Sequence, residues 1–135
     1  MRHRCRISVI PSRALAGAAV ALLLVSTAPA ALADAGRGED VFDANCEACH
    51  SVLPGKNKVG PSLGGVVGRL AGTAPNYAYS DAMRSCGITW QRDKLEALIT
   101  KPKAVVPGCK MQFEGLPDAK DRADLIDYLA TAGGN

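Results

Sequence analysis

The sequence predicts an all-α domain of four to five short helices, joined by long loops and gathered around a covalently bound group. Three observations lead there. Apolar residues recur at helical spacing in short separate segments, with Leu95, Leu98 and Ile99 in one and Leu125, Tyr128, Leu129 and Ala132 in another. No stretch reads convincingly as a strand. Finally, Cys46-Glu47-Ala48-Cys49-His50 sets two thiols three residues apart with an imidazole directly after the second, which is the attachment signal for a c-type haem.

Each part of that signal has a task. The thiols form two thioethers to the porphyrin, and His50, held against the haem face by Cys49, becomes the first axial ligand to iron. Two other chemistries use similar residues. A redox-active dithiol wants a strand-helix-strand setting that is not found here. A structural zinc site would need Cys86 or Cys109 as a further ligand, and zinc sites usually bring a second closely spaced pair.

The chain begins with a leader. Arg2, Arg4, Arg6 and Arg13 accompany an apolar stretch from Ala14 to Val25 and an Ala31-Leu32-Ala33 cleavage motif, the layout of a secretory signal peptide over residues 1–33. The mature domain is then 34–135, in the periplasm; an uncleaved leader would anchor it to the membrane instead. The full chain has 16 basic and 13 acidic side chains, but four of the arginines belong to the leader. The mature domain is therefore nearly neutral, which gives no ground for nucleic-acid binding. Export leaves four cysteines in an oxidising compartment, two taken by haem and two left over.

Within the mature domain, Gly36 to His50 reads as a helix with Val41 and Phe42 on one side and Gly38 on the face of Phe42. It delivers Cys46, Cys49 and His50. From Ser51 to Asn76 glycine and proline are too frequent for a long regular element, so this segment is read as loop wrapping the haem. Ser80 caps a turn through Arg84, Thr89 caps a helix from Trp90 to Thr100, and Pro102 stops it. The last helix begins near Asp118 and ends at Gly133; its face of Lys120, Asp121, Asp124 and Asp127 reads as a solvated surface.

A low-spin electron carrier needs a sixth iron ligand. His50 is the sole histidine of the mature domain, which leaves Met83 and Met111 as neutral soft donors. Met111 lies in the irregular Pro107-Gly108-Cys109-Lys110-Met111 segment and is favoured; Met83 lies in a helical turn with apolar neighbours and reads as core.

Taken together, CEACH at 46–50, VGPSLGGVVGR at 59–69, YAYSDAM at 77–83, GITW at 87–90, PGCKMQFEGL at 107–116 and RADLIDYL at 122–129 resemble the motifs of small class I monohaem cytochromes c of the mitochondrial type found in bacteria. The resemblance implies the cytochrome c fold around one covalent haem c, with His50 and Met111 as axial ligands. It further implies that the Pro61 carbonyl accepts from His50, that Tyr79 and Trp90 donate to a haem propionate with Arg69 nearby, and that Phe113 flanks the haem edge. Gly38 and Phe42 would meet Leu125 and Tyr128 where the first and last helices cross.

Three positions depart from mitochondrial relatives. Leu98, Met83 and Cys109 stand where a tyrosine, an asparagine and a threonine are usual, which makes the methionine side more apolar. Cys86 and Cys109, left over in an oxidising compartment and in motifs that both pack near the propionates, are expected to form a disulfide. The expected function is a monomeric, non-enzymatic one-electron carrier. Its donor would be a quinol-oxidising complex or a dehydrogenase and its acceptor an oxidase or reductase. The alternatives are a ligand-binding or peroxidatic haem protein and a haem-free zinc-stabilised domain. Lys56, Lys58, Lys101, Lys103 and Lys110 are expected to steer acidic partners to the haem edge, away from the aspartates of the last helix.

Overall fold

Five helices are formed within residues 35–133, the part of the chain described by the computed structural model: α1 Ala35–Asn45, α2 Asp81–Ser85, α3 Arg92–Thr100, α4 Pro102–Val105 and α5 Ala119–Thr131. The expected signal peptide at 1–33 lies outside the described residues. Among the described residues no strand forms; Leu70 and Thr89 make a single antiparallel bridge.

The frame is the crossing of α1 and α5. A Cβ built on Gly38 would lie 2.1 Å from the Asp124 carbonyl oxygen and 2.6 Å from Tyr128 Cβ. Only a residue without a side chain lets the two backbones come this close. Next to that contact, Phe42 packs on Tyr128 with ring centroids 5.7 Å apart, and Phe42, Leu125 and Leu129 are buried. Asp118 caps α5 through its carboxylate, which accepts from the Asp121 N–H at 2.9 Å.

The polar face of α5 is not the solvated surface expected from its sequence. Asp124 is fully buried and ion-paired to Arg37 Nε at 2.9 Å and Lys120 Nζ at 2.7 Å. Asp121 pairs with Arg37 at 2.6 Å, and Asp127 pairs with Arg92. The reason is the crossing itself: α1 covers this side of α5 and brings Arg37 with it, so the carboxylate is desolvated but compensated.

Two helix boundaries also differ from expectation. Gln91, not Thr89, occupies the N-cap of α3, because Thr89 is held extended by its bridge to Leu70 and the adjacent Trp90 N–H donates to Arg69 O at 2.9 Å. Pro102 stops α3 as expected but also opens α4, a position where its fixed φ and missing N–H are no handicap. Ser80 caps α2 as expected, its hydroxyl accepting from Met83 N.

The loop from 51 to 76 is organised by polar contacts of its own. Ser62 is buried; its hydroxyl donates to Leu53 O at 2.6 Å and accepts from Gly64 N at 3.2 Å. Its carbonyl accepts from Arg69, whose guanidinium also donates to Gly64 O. The backbone groups of a long irregular segment thereby find partners inside the protein.

Candidate functional site

An open cleft of about 1190 Å³, part of it continuous with solvent, runs between the end of α1, the 59–63 loop, α3 and the 109–113 loop. Cys46, Cys49 and His50 enter it from one side. After α1 ends, Cys46 N–H donates to Phe42 O, and Cys49 and His50 N–H both donate to Cys46 O, at 3.0 and 2.8 Å. This tight turn turns both thiols and the imidazole into the same space. Cys49 is exposed, whereas Cys46 is partly buried, and that burial, reinforced by the neighbouring Cys49, pushes its pKa up to about 11. Neither thiol is joined to another cysteine.

The His50 ring is oriented before any metal is considered. Its Nδ1 lies 2.8 Å from Pro61 O, and a carbonyl can only accept, so Nδ1 carries the proton and Nε2 holds the lone pair. Burial lowers the pKa of the ring; the Pro61 carbonyl opposes that shift, and Lys58 adds to it. The result is a neutral imidazole, the form that binds metal.

Met111 reaches the same cleft from the loop after α4, beside Cys109 and Phe113. Lys110 Nζ donates to Ala78 O at 2.8 Å and so ties this loop to the segment before α2. Met83, expected to be core, both packs on the apolar core and lines the cleft, as does Leu98. The wall near Met111 is thus apolar, in keeping with the three departures noted above. Cys109 also lines the cleft, and Cys86 Sγ donates to Met83 O at 3.3 Å. The expected disulfide is absent here: both are free, partly buried thiols packed on the core, each behaving as a small apolar side chain.

The residues expected on the propionate side are less closely gathered. Tyr79 lines the cleft, its hydroxyl oxygen accepting from Ala74 N at 3.3 Å with the O–H still able to donate. Burial raises the Tyr79 pKa, partly opposed by that hydrogen bond and by Arg69. Arg69 and Trp90 do not line the cleft. Arg69 is engaged with Ser62 and Gly64 carbonyls, and burial lowers its pKa. Trp90 is buried in the core. Sequence reasoning missed Tyr77, which lines the cleft and donates to Val59 O at 2.9 Å, and Gly60, which packs against the His50 ring. Position alone did not single out either one within its loop.

These features suit a covalent haem. The cleft is large, mostly apolar inside, and holds two thiols, a neutral imidazole with Nε2 available and a thioether. The Cytochrome c family model matches residues 35–133, the whole of the described chain. The chain belongs to the cytochrome c family. A cytochrome c2 of Blastochloris viridis is 50% identical over 109 residues, covering 80% of this chain and 85% of that protein. A cytochrome c2 of Rhodomicrobium vannielii is 47% identical over 122 residues, covering 90% and 94%. The solved structure of cytochrome cH from Methylobacterium extorquens superposes with a TM-score of 0.69 at 47% identity, covering 73% of this chain and 98% of that one. As a class I cytochrome c, the protein binds one covalent haem c per chain and is an electron-transfer protein rather than an enzyme.

Proposed function

We propose that this cytochrome is an exported, monomeric carrier whose haem is attached through Cys46 and Cys49 and ligated by His50 Nε2 and Met111 Sδ. The observation that carries the reading is that one cleft collects Cys46, Cys49, His50 and Met111 from two separate segments, with His50 Nδ1 already held by Pro61. The haem supplies a one-electron iron couple. The chain's own residues do the rest: Pro61 fixes the imidazole, and the thioether of Met111 favours ferrous iron. Tyr79, Trp90 and Arg69 are assigned to the propionate side and Phe113 to the haem edge. With His50 and Met111 both holding the iron, no position would be left for a substrate, and the haem edge beside Phe113 would be the route for the electron.

Residues 1–33 are proposed to be a cleaved secretory signal, which would place residues 34–135 in the periplasm; the basic start, apolar stretch and Ala31-Leu32-Ala33 motif support this. Among the described residues no helix is long and apolar enough to cross a membrane. The partners are proposed to be a quinol-oxidising complex or dehydrogenase as donor and an oxidase or reductase as acceptor. Lys56, Lys101 and Lys103 are exposed, and among the described residues they carry no ion pair, so they are available to steer an acidic partner. Lys58 is paired to Glu47.

The test is an absorption spectrum of the holoprotein with cell fractionation. Sharp reduced low-spin bands in a periplasmic fraction are the expected result. High-spin features would point to a ligand-binding haem protein, and membrane retention would point to an uncleaved anchor.

A further inference from the structure

Gly60 is a glycine for a reason other than backbone conformation. It has no positive φ, so any residue could adopt its backbone. What excludes a side chain is His50: a Cβ at position 60 would lie 2.3 Å from Cε1, 2.7 Å from Nδ1 and 2.8 Å from Nε2 of the imidazole. The nearest of these, Cε1, sits between Nδ1, which is held by Pro61, and Nε2, the nitrogen left to bind the iron. Pressure there moves both nitrogens together.

The segment behind the ring is poorly placed to retreat. Gly60 N–H donates to Cys49 O at 2.7 Å, and Gly60 O accepts from Lys58 N at 2.9 Å. On one side of it, Val59 O accepts from Tyr77 at 2.9 Å; on the other, Ser62 N donates to the Asn57 side chain, which itself donates to Pro75 O. Lys58 Nζ donates to Glu47 O at 2.6 Å, tying the segment to the haem-attachment turn.

We propose that Gly60 is a positioning residue for His50: the strap from Asn57 to Ser62 forms a fixed backplate, and its glycine face sets the tilt and rotation of the imidazole relative to the iron. Pro61 supplies the hydrogen bond and Gly60 the steric stop. The proposal rests on His50 being the axial ligand. Had that reading failed, the wild-type spectrum would lack the low-spin histidine signature before any variant was made.

The experiment compares ferric holoprotein of wild type, Gly60→Ala and Gly55→Ala by proton NMR. In low-spin ferric haem the order and spread of the haem-methyl shifts follow the orientation of the axial ligand plane. Gly55 has φ +73° with nothing within 4 Å of a Cβ built on it, so its substitution strains the loop without touching the ring. Both variants are expected to lower the thermal midpoint, but only Gly60→Ala changes the methyl-shift pattern and moves the reduction potential. Adding Tyr77→Phe, which releases Val59 O, is expected to return the Gly60→Ala pattern towards wild type. A Gly60→Ala holoprotein with the wild-type pattern overturns the proposal, as does a pattern change of the same size in Gly55→Ala. Should Gly60→Ala fail to retain haem, Tyr77→Phe and Asn57→Ala decide, since each loosens the backplate and should alter the pattern; wild-type patterns in both overturn it.

Discussion

His50 is backed by a segment tied down at Lys58, Val59, Gly60 and Ser62, with its own Nδ1 bound to Pro61. Met111, by contrast, sits on a loop from Pro107 to Gln112 whose single hydrogen bond to a distant segment, among the described residues, is Lys110 Nζ to Ala78 O. The cleft therefore has one wall that is expensive to move and one held by a bond at an exposed side chain. Each such bond contributes about 1 kcal/mol, so the wall tied by several of them is harder to move than the wall tied by one, although several on the His50 side are also at exposed groups. The two proposed ligands accordingly differ in how easily they can be lifted from the iron, and only the Met111 side can open without unfolding the haem-attachment turn.

Removing the methionine is the strongest test of this asymmetry. Met111→Ala should keep covalent haem, lose the low-spin methionine signature and bind cyanide or carbon monoxide at least tenfold more tightly, as read by titration at the Soret band. If Met83→Leu produced this change and Met111→Ala did not, the ligand assignment would be wrong, since Met83 also lines the cleft.

On the rigid side, Ser62→Ala should destabilise the protein by about 1–3 kcal/mol, because it leaves the buried Gly64 N–H without its partner, while Leu53 O keeps its bond from Lys56 N. Urea unfolding measures this, and the spectrum of the native protein should not change. A loss below about 0.5 kcal/mol would mean that the loop is held by packing alone.

Lys110→Ala is the matching change on the loose side, with a smaller effect on stability. Losing about 1 kcal/mol from the closed loop raises the open fraction roughly fivefold. Cyanide affinity of the ferric protein should rise by about that factor with little change in the urea midpoint. An unchanged affinity would show that apolar packing of the loop, not Lys110, keeps it shut.

The smallest effects concern the surface around the two walls. Electron-transfer rates with the physiological partner should fall as salt shortens the screening length from about 30 Å at 0.01 M to about 8 Å at 0.15 M. Lys103→Glu should slow the rate more than Lys94→Glu, because Lys94 sits in an ion pair with Asp93 on α3. Equal effects, or a rate indifferent to salt, would favour an apolar docking face around Phe113. Two thiols, Cys86 and Cys109, should be alkylated on denaturing the holoprotein without reductant; none would mean that a bridge forms after folding in the oxidising compartment.

The attachment motif was legible because its chemistry is local: the turn from Cys46 to His50 needs only neighbouring residues. The helices α2 and α5 were legible from their caps, since Ser80 and Asp118 satisfy N–H groups three residues away. Asp124 was misread for the opposite reason. Its place among other aspartates on one helical face says solvent, and what buries it is α1, which is 80 residues away in the chain. Thr89 was misread because the partner that holds it extended, Leu70, lies across a loop.

By itself the sequence determined the covalent chemistry, the all-α class and the pair of candidate methionines, because residue type, spacing and caps act over a few residues. Tertiary structure alone decided that Asp124 on the acidic face of α5 is buried in an ion-paired cluster, that Met83 shares the cleft wall with Met111, and that Gly60 lies against the His50 ring with no room for a side chain. Those outcomes depend on which segments meet at contact distance, and steric exclusion and desolvation act between atoms in space, whatever their separation along the chain.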